Sequence, residues 1–417
     1  MQDWPPIDED PFPSAAYADA DGGDDERFAT GPMGSISPMG SANPVRAPLR
    51  RGRGAVSNAS GRHEPLSRQA VEDGWAEDEA DLAPLATHIT LEKARRIITK
   101  NSSPDIPFDR SINPYRGCEH GCIYCYARPS HANMGLSPGL DFETRLFAKP
   151  DAANLLRAEL AHPRYRCAPI AIGTNTDPYQ PIERDQKLMR SILIVLDETS
   201  HPVTIVTKSA LILRDLELLS SLAQRNLVKV ALSVTTLDHR LARRMEPRAS
   251  TPGRRIGAMK ALAEAGVPVG VMVAPVIPAL TDHEGEKILA AAYAAGAREA
   301  GWVMLRLPHE IKDLFEEWLH EERPDRASRI LKLVRDMRGG RLNDARFGHR
   351  MRGEGAYAEM ITARLRLAIA KIGYNRAIKK LDCSLFTPPP KANAKGDRGS
   401  NAGDAGDRRQ YSLFGDC

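Results

Sequence analysis

Three cysteines, Cys118, Cys122 and Cys125, fall within eight residues of the stretch NPYRGCEHGCIYCYARPSH, residues 113–131. Thiolate rather than thiol binds metal, and three thiolates on so short a loop repel one another unless a cation neutralises them. The spacing Cys-x3-Cys-x2-Cys therefore points to a metal centre. Zinc would take four ligands, with His120 or His131 completing a Cys3His set. An iron-sulfur cluster takes thiolates, normally four for a four-iron cluster, so three would leave one iron without a protein ligand. In metal sites generally an open position marks catalysis rather than structure. The remaining cysteines, Cys167, Cys383 and Cys417, are scattered. A chain of this size with that pattern has no disulfide framework, and a reducing, cytoplasmic compartment is expected.

The elements that must position this loop are readable from hydrophobic periodicity. Apolar runs at 168–175, 202–208, 227–234, 267–277 and 301–307 alternate with helix-period segments at 151–160, 184–198, 211–224, 252–266 and 283–296. With a short strand before Cys118, this makes six β/α units. Runs of Val, Ile and Ala without strict alternation suit parallel strands covered by helices on one face. Right-handed crossovers then curl the series into a partial (β/α)6 barrel. Chemistry in such folds sits at the carboxyl ends of the strands. That rule selects Asn175, Thr176, Asp177, Lys208, Ser233, Pro275, Ile277 and Arg306.

The cysteine spacing, with the aromatic Tyr124 before the third cysteine, resembles the radical S-adenosylmethionine (SAM) superfamily. The blocks NPYRGCEHGCIYCYAR, DFETRLFAKPDAANLLRAEL, GTNTDPYQPIER, TKSALILRDLELL, LSVTTLD and EPRASTPGRRIGAMKALAEAGVPVGVMVAPVIPALTD look like those of its spore photoproduct lyase-like branch, in order, over residues 88–310. The longer C-terminal part looks like an uncharacterised bacterial subgroup. The resemblance implies a 4Fe-4S cluster on Cys118, Cys122 and Cys125, with SAM on the open iron. It implies reductive cleavage of SAM to a 5'-deoxyadenosyl radical, and hence a reducing electron donor as partner. Tyr124 and backbone around Val276 would contact adenine, Asn175 or Thr176 the SAM amino group, Lys208 its carboxylate, and Ser233 the ribose.

The resemblance fails at one point. The lyase requires a hydrogen-donor cysteine just after strand two, where this chain has GTNTDP. Cys167 precedes that strand, at the barrel bottom, and reads as a small core residue. Tyr126, matching a tyrosine of the lyase, is the candidate to quench a substrate radical, set against a plain packing role. Repair of spore photoproduct itself is not expected.

Residues 1–85 combine an acidic block with an arginine block, and residues 388–417 are rich in Gly, Asn, Ala and charge, so both are expected to be disordered tails. They flank the barrel (86–310) and a basic helical extension (311–387). Net charge is only +4, but residues 338–380 carry eleven Lys and Arg against three Asp and Glu, which could form a nucleic-acid-binding face. The pentapeptide QYSLF resembles the peptide by which bacterial DNA polymerases and repair enzymes dock on the sliding clamp, through Gln410, Leu413 and Phe414. No stretch reads as a secretory signal, and the apolar run from Val267 is too short and proline-broken to span a bilayer. The rival from another class is a zinc-stabilised nucleic-acid-binding protein on a β/α scaffold.

Overall fold

The computed structural model describes residues 52–64 and 85–390. Six parallel strands lie side by side in chain order: β1 (Arg110–Ile112), β2 (Ile170–Ile172), β3 (Val203–Thr207), β4 (Val228–Ser233), β5 (Val269–Val276) and β6 (Glu299–Met304). A short strand, Ile98–Lys100, pairs antiparallel with the outer edge of β1. The crossovers carry helices α1 (Ala152–Leu160), α2 (Leu188–Glu198), α3 (Leu216–Gln224), α4 (Pro252–Glu264) and α5 (Gly285–Ala294). This is the partial (β/α)6 barrel that the sequence pattern predicts.

Side chains alternate across a strand, and the alternation sorts them cleanly here. Val203 and Ile205, Val228, Val230 and Leu232, and Val269, Val271 and Val273 share one core with Leu193, Leu219, Leu262 and Leu289 of the helices. The opposite register, Val206, Ala231, Met272, Ala274 and Val303, forms a small inner cluster. At its amino-terminal end the same register holds a buried ion pair, Lys229 to Glu299 at 2.7 Å. At its carboxyl-terminal end it places Lys208 two residues past Val206, and Ser233 two past Ala231.

Helices α6 (Ile311–Glu322), α7 (Ala327–Asp336) and α8 (Gly355–Ile372) form the extension. Leu314, Phe315, Trp318 and Leu319 of α6 and Ile330, Leu331 and Val334 of α7 share a second core with Cys122, Ile123 and Tyr124. The extension thus supports the cysteine loop, while α8 sends Ile361 and Leu365 into the barrel core. Among the described residues no helix is long and apolar enough to cross a membrane.

Several local expectations are corrected. The segment 184–198 breaks at Lys187, φ +53°, into Glu183–Gln186 and α2. The buried Glu183 accepts hydrogen bonds from the Met189 amide (3.1 Å) and Arg214 (2.7 Å), and these tertiary bonds hold the break. A second sheet absent from the sequence reading pairs His88–Leu91, Arg145–Ala148 and Tyr115–Arg116. The expected N-terminal tail is interrupted, because residues 52–64 pack on the cysteine loop, with Arg53, Gly54, Ala55 and Val56 buried. Composition hides this: small residues fit there, and Glu143 takes both the Gly54 and Ala55 amides, each at 2.8 Å. Cys167 is a half-exposed free thiol rather than a core residue. It lies beside Cys383, in a C-terminal segment that crosses the barrel bottom, with Phe386 against Tyr165 and His201 (ring centroids 5.5 and 5.2 Å). Burial, then Cys383, pushes the Cys167 thiol up to about 12. The acidic block, most of the arginine block and the residues Gln410, Leu413 and Phe414 lie outside the described residues.

Candidate functional site

At the carboxyl ends of the strands the barrel opens into a cleft. Its wall brings together Cys118, Cys122, Cys125, Tyr124, Tyr126, Asn175, Thr176, Lys208 and Ser233. Asp177, Pro275 and Arg306, chosen by the strand-end rule, also line it. Val276 and Ile277 do not. Both are buried in the packed cores, and the Val276 carbonyl accepts the Leu305 amide at 3.0 Å. The β5–β6 register slips here, so Val276 is held by the sheet and Ala274 and Pro275 face the cleft instead.

The cysteine loop is shaped by its glycines and by one arginine. Gly117 and Gly121 adopt φ +74° and +65°, which favour glycine. Arg128, fully buried, donates to the carbonyls of Cys122 (2.9 Å), Gly121 (3.1 Å), Pro138 (3.0 Å) and Gly139 (2.9 Å), and to the buried carboxylate of Glu143 (2.5 Å). Burial pushes all three thiols up; Asp177 adds to this at Cys118 and Glu246 at Cys122, while Lys208 and Arg128 act against it at Cys125. The loop is thus a set of protonated thiols that metal would deprotonate on binding.

Among the described residues no three His, Cys, Asp or Glu side chains converge closely enough to hold a single metal ion. His120 Nδ1 lies 3.3 Å from Asp177, and His131 Nε2 lies 2.9 Å from the Arg145 carbonyl. Three cysteines that each bind a separate iron at the corners of a cluster need no such convergence, and the donor set fits that group. Among the described residues the buried Asn175 Oδ1 has no hydrogen-bond partner, and on the same cleft wall it can accept from a ligand ammonium.

Lys208 is set by its backbone. Its amide donates to Asp177 Oδ2 at 2.7 Å, and the Thr207 hydroxyl donates to Oδ1 at 2.6 Å. Burial alone would push the Asp177 carboxyl up; the His120 contact and these hydrogen bonds outweigh it and hold it at about 2. The Lys208 ammonium stands 5.8 Å from the Tyr124 ring centroid, close to the cysteine loop. Thr176 donates its hydroxyl to the Tyr115 carbonyl (3.1 Å), which fixes the loop and leaves its oxygen able to accept. The Tyr126 phenol donates to the Thr174 carbonyl, and the Arg306 guanidinium lies 5.8 Å from its ring centroid.

Sequence reasoning missed a buried network beneath the cleft. Glu246 accepts from Tyr124, from Thr235 (2.7 Å) and from Arg255. Arg255 also donates to the Ser233 carbonyl (3.0 Å) and the Ser250 carbonyl (2.7 Å). One ion pair therefore joins the cysteine loop to the end of β4. Both charges lie in the quoted EPRASTPGRR block, but a Glu and an Arg near a helix start read as surface without the fold.

Several cations of the basic stretch are committed internally. Arg338 donates to the Leu305 and His349 carbonyls (2.7 and 3.0 Å), Arg350 pairs with Asp105 (2.5 Å), Arg346 with Asp344 (2.7 Å) and Arg364 with Glu286 (2.8 Å). Burial and Arg306 lower Arg338 to about 10. Arg341, Arg352, Arg366, Lys371, Arg376, Lys379 and Lys380 are exposed, as is the paired Arg346.

The profile of the Radical SAM superfamily matches residues 112–292. An uncharacterized protein of Mycobacterium tuberculosis is 39% identical over 294 residues, covering 69% of this chain and 83% of that protein. An uncharacterized protein of Methanocaldococcus jannaschii is 30% identical over 194 residues, 46% of this chain and 69% of the relative. Among solved structures, a spore photoproduct lyase mutant with bound AdoMet and dinucleoside spore photoproduct superposes with a TM-score of 0.51 at 14% identity, over 68% of this chain and 79% of that one.

Proposed function

The chain belongs to the radical SAM superfamily, and on that premise we propose that it reductively cleaves SAM at a 4Fe-4S cluster held by Cys118, Cys122 and Cys125. The observation that carries this is the placement of the three thiols on the same cleft wall as Asn175, Lys208 and Ser233, residues drawn from separate β/α units. When bound, the cluster supplies the electron that cleaves SAM to methionine and a 5'-deoxyadenosyl radical. Asn175 Oδ1 accepts from the SAM amino group, Lys208 pairs with its carboxylate, and Ser233 bonds the ribose. The apolar wall of Val206, Met272, Ala274 and Val303 excludes water around the reacting atoms. Anaerobic reconstitution with iron and sulfide, followed by dithionite and SAM, is expected to yield 5'-deoxyadenosine. Stoichiometric zinc with none of that product overturns the reading.

Tyr126 is assigned to returning a hydrogen atom to a substrate radical, since the GTNTDP segment just after β2 holds no cysteine. The phenolic O–H bond breaks, hydrogen goes to substrate carbon, and the neutral tyrosyl radical left takes one electron from the external electron donor and one proton from solvent to restore the phenol. Tyr126→Phe is expected to keep SAM cleavage while the tyrosyl signal in electron paramagnetic resonance disappears. Unchanged product and signal refute the role.

Nucleic acid is proposed as the substrate class. The exposed cations of residues 338–380 and the exposed Phe347, which faces the Arg350 guanidinium at 4.5 Å, support it. Affinity for single- and double-stranded DNA that falls steeply with salt is the expected result. The QYSLF segment is proposed to bind a sliding clamp; changing Leu413 and Phe414 to Ala should abolish capture in a pull-down.

A further inference from the structure

We propose that residues 53–57 are a strap belonging to the metal site, which holds the cysteine loop ready for the cluster and keeps solvent from its Cys122 side. The proposal rests on the cluster reading above. Arg53 donates to the Glu143 carbonyl (2.8 Å), the Leu85 carbonyl (2.7 Å) and the Thr87 hydroxyl (2.9 Å), and Thr87 in turn donates to Glu119 of the cysteine loop (2.6 Å). Gly54 passes so close that a Cβ there would lie 1.8 Å from the Gly121 carbonyl oxygen. That oxygen also accepts from Arg128, so the peptide between the first two cysteines is held from two sides.

Ala55 and Val56 then bury themselves against Cys122, Ile123, Tyr124 and Leu140. Ser57 closes the strap on Glu317 of α6 at 2.8 Å. Glu143 is the joint: its carboxylate takes two strap amides and the Arg128 guanidinium together. Without the strap the carboxylate loses two of those donors, and the buried arginine that orders four loop carbonyls faces a less satisfied partner. The barrel core contains no residue of the strap, so loosening it leaves the scaffold in place.

The test uses full-length chains carrying Gly54→Val, Arg53→Gln or, as a control at the exposed end of the same segment, Arg62→Ala. In metal-free protein, mass spectrometry follows alkylation of Cys122 by iodoacetamide; in reconstituted protein, iron content follows cluster loss in air. Gly54→Val and Arg53→Gln are expected to speed alkylation at least tenfold and shorten cluster lifetime by a similar factor, with Arg62→Ala like the parent. Parent-like alkylation and lifetime in both strap variants overturn the proposal. If Gly54→Val shows no cooperative unfolding transition, Arg53→Gln decides alone. If the parent takes up no iron, the cluster reading falls, while the alkylation rates still decide whether the strap guards the loop.

Discussion

Replacing Arg255 with Met tests the buried network under the cleft. Arg255 and Glu246 are 1% and 2% exposed, and the substitution leaves the carboxylate buried with only Tyr124 and Thr235 as donors. Removing one member of a buried pair costs about 3–5 kcal/mol. The orphaned Ser233 and Ser250 carbonyls add to that, toward the upper end of the range. At about 2–3 °C per kcal/mol for a domain of this size, the melting temperature of metal-free protein should fall by about 6–15 °C. Urea denaturation of Arg255→Met, Glu246→Gln and the double variant supplies the cycle. Because the double variant leaves no uncompensated charge, it should be less destabilised than the sum of the singles by about 1–3 kcal/mol. A loss below about 1 kcal/mol in Arg255→Met, or strict additivity in the cycle, would refute the reasoning.

Lys208→Ala should weaken SAM binding by about 10- to 100-fold in calorimetry, the worth of one charge-assisted bond, while the cluster absorbance stays; Lys208→Arg should recover part of it. His201 is held neutral by burial, its pKa lowered to about 4 from the ordinary 6.5. Its contribution is therefore full above pH 6.5 and lost as pH falls toward 4, about 3 kcal/mol in all. His201→Gln should flatten stability against pH over that window in urea titrations, leaving the similarly lowered His131 to supply the remaining slope. Asn175→Leu removes the unpartnered buried acceptor, so the metal-free protein should be as stable or more so while SAM affinity falls; unchanged affinity would exclude Asn175 from the amino-group site.

The barrel and much of the cleft were legible because both depend on short-range patterns. The strand runs gave the β/α order, and the strand-end rule found Asn175, Thr176, Asp177, Lys208, Ser233, Pro275 and Arg306, all on the cleft wall. Val276 was misplaced because a one-residue slip between β5 and β6 turns a backbone group from cleft to ladder, and no side chain signals it. Glu246, Arg255 and the strap escaped for another reason. The contacts that bury Glu246 and the strap lie far along the chain, 122 residues for Tyr124 and Glu246 and 89 for Gly54 and Glu143, and Arg255 is buried with Glu246. A glycine-rich arginine block looks like solvent-facing chain until a buried glutamate accepts its amides.

The contacts of the cysteine loop also set a timetable for biosynthesis. Ile123 donates its amide to the Met245 carbonyl at 3.0 Å, and Ser57 meets Glu317 at 2.8 Å, so segments from before the loop and from well after it pack behind its eight residues. On the ribosome the three thiols emerge long before residues 245–317 exist to wall them in. The finished enclosure can form only once α6 has been made. Closure around the loop is therefore a late step of folding, and lesions in α6, remote from the cleft, should leave the loop loosely packed.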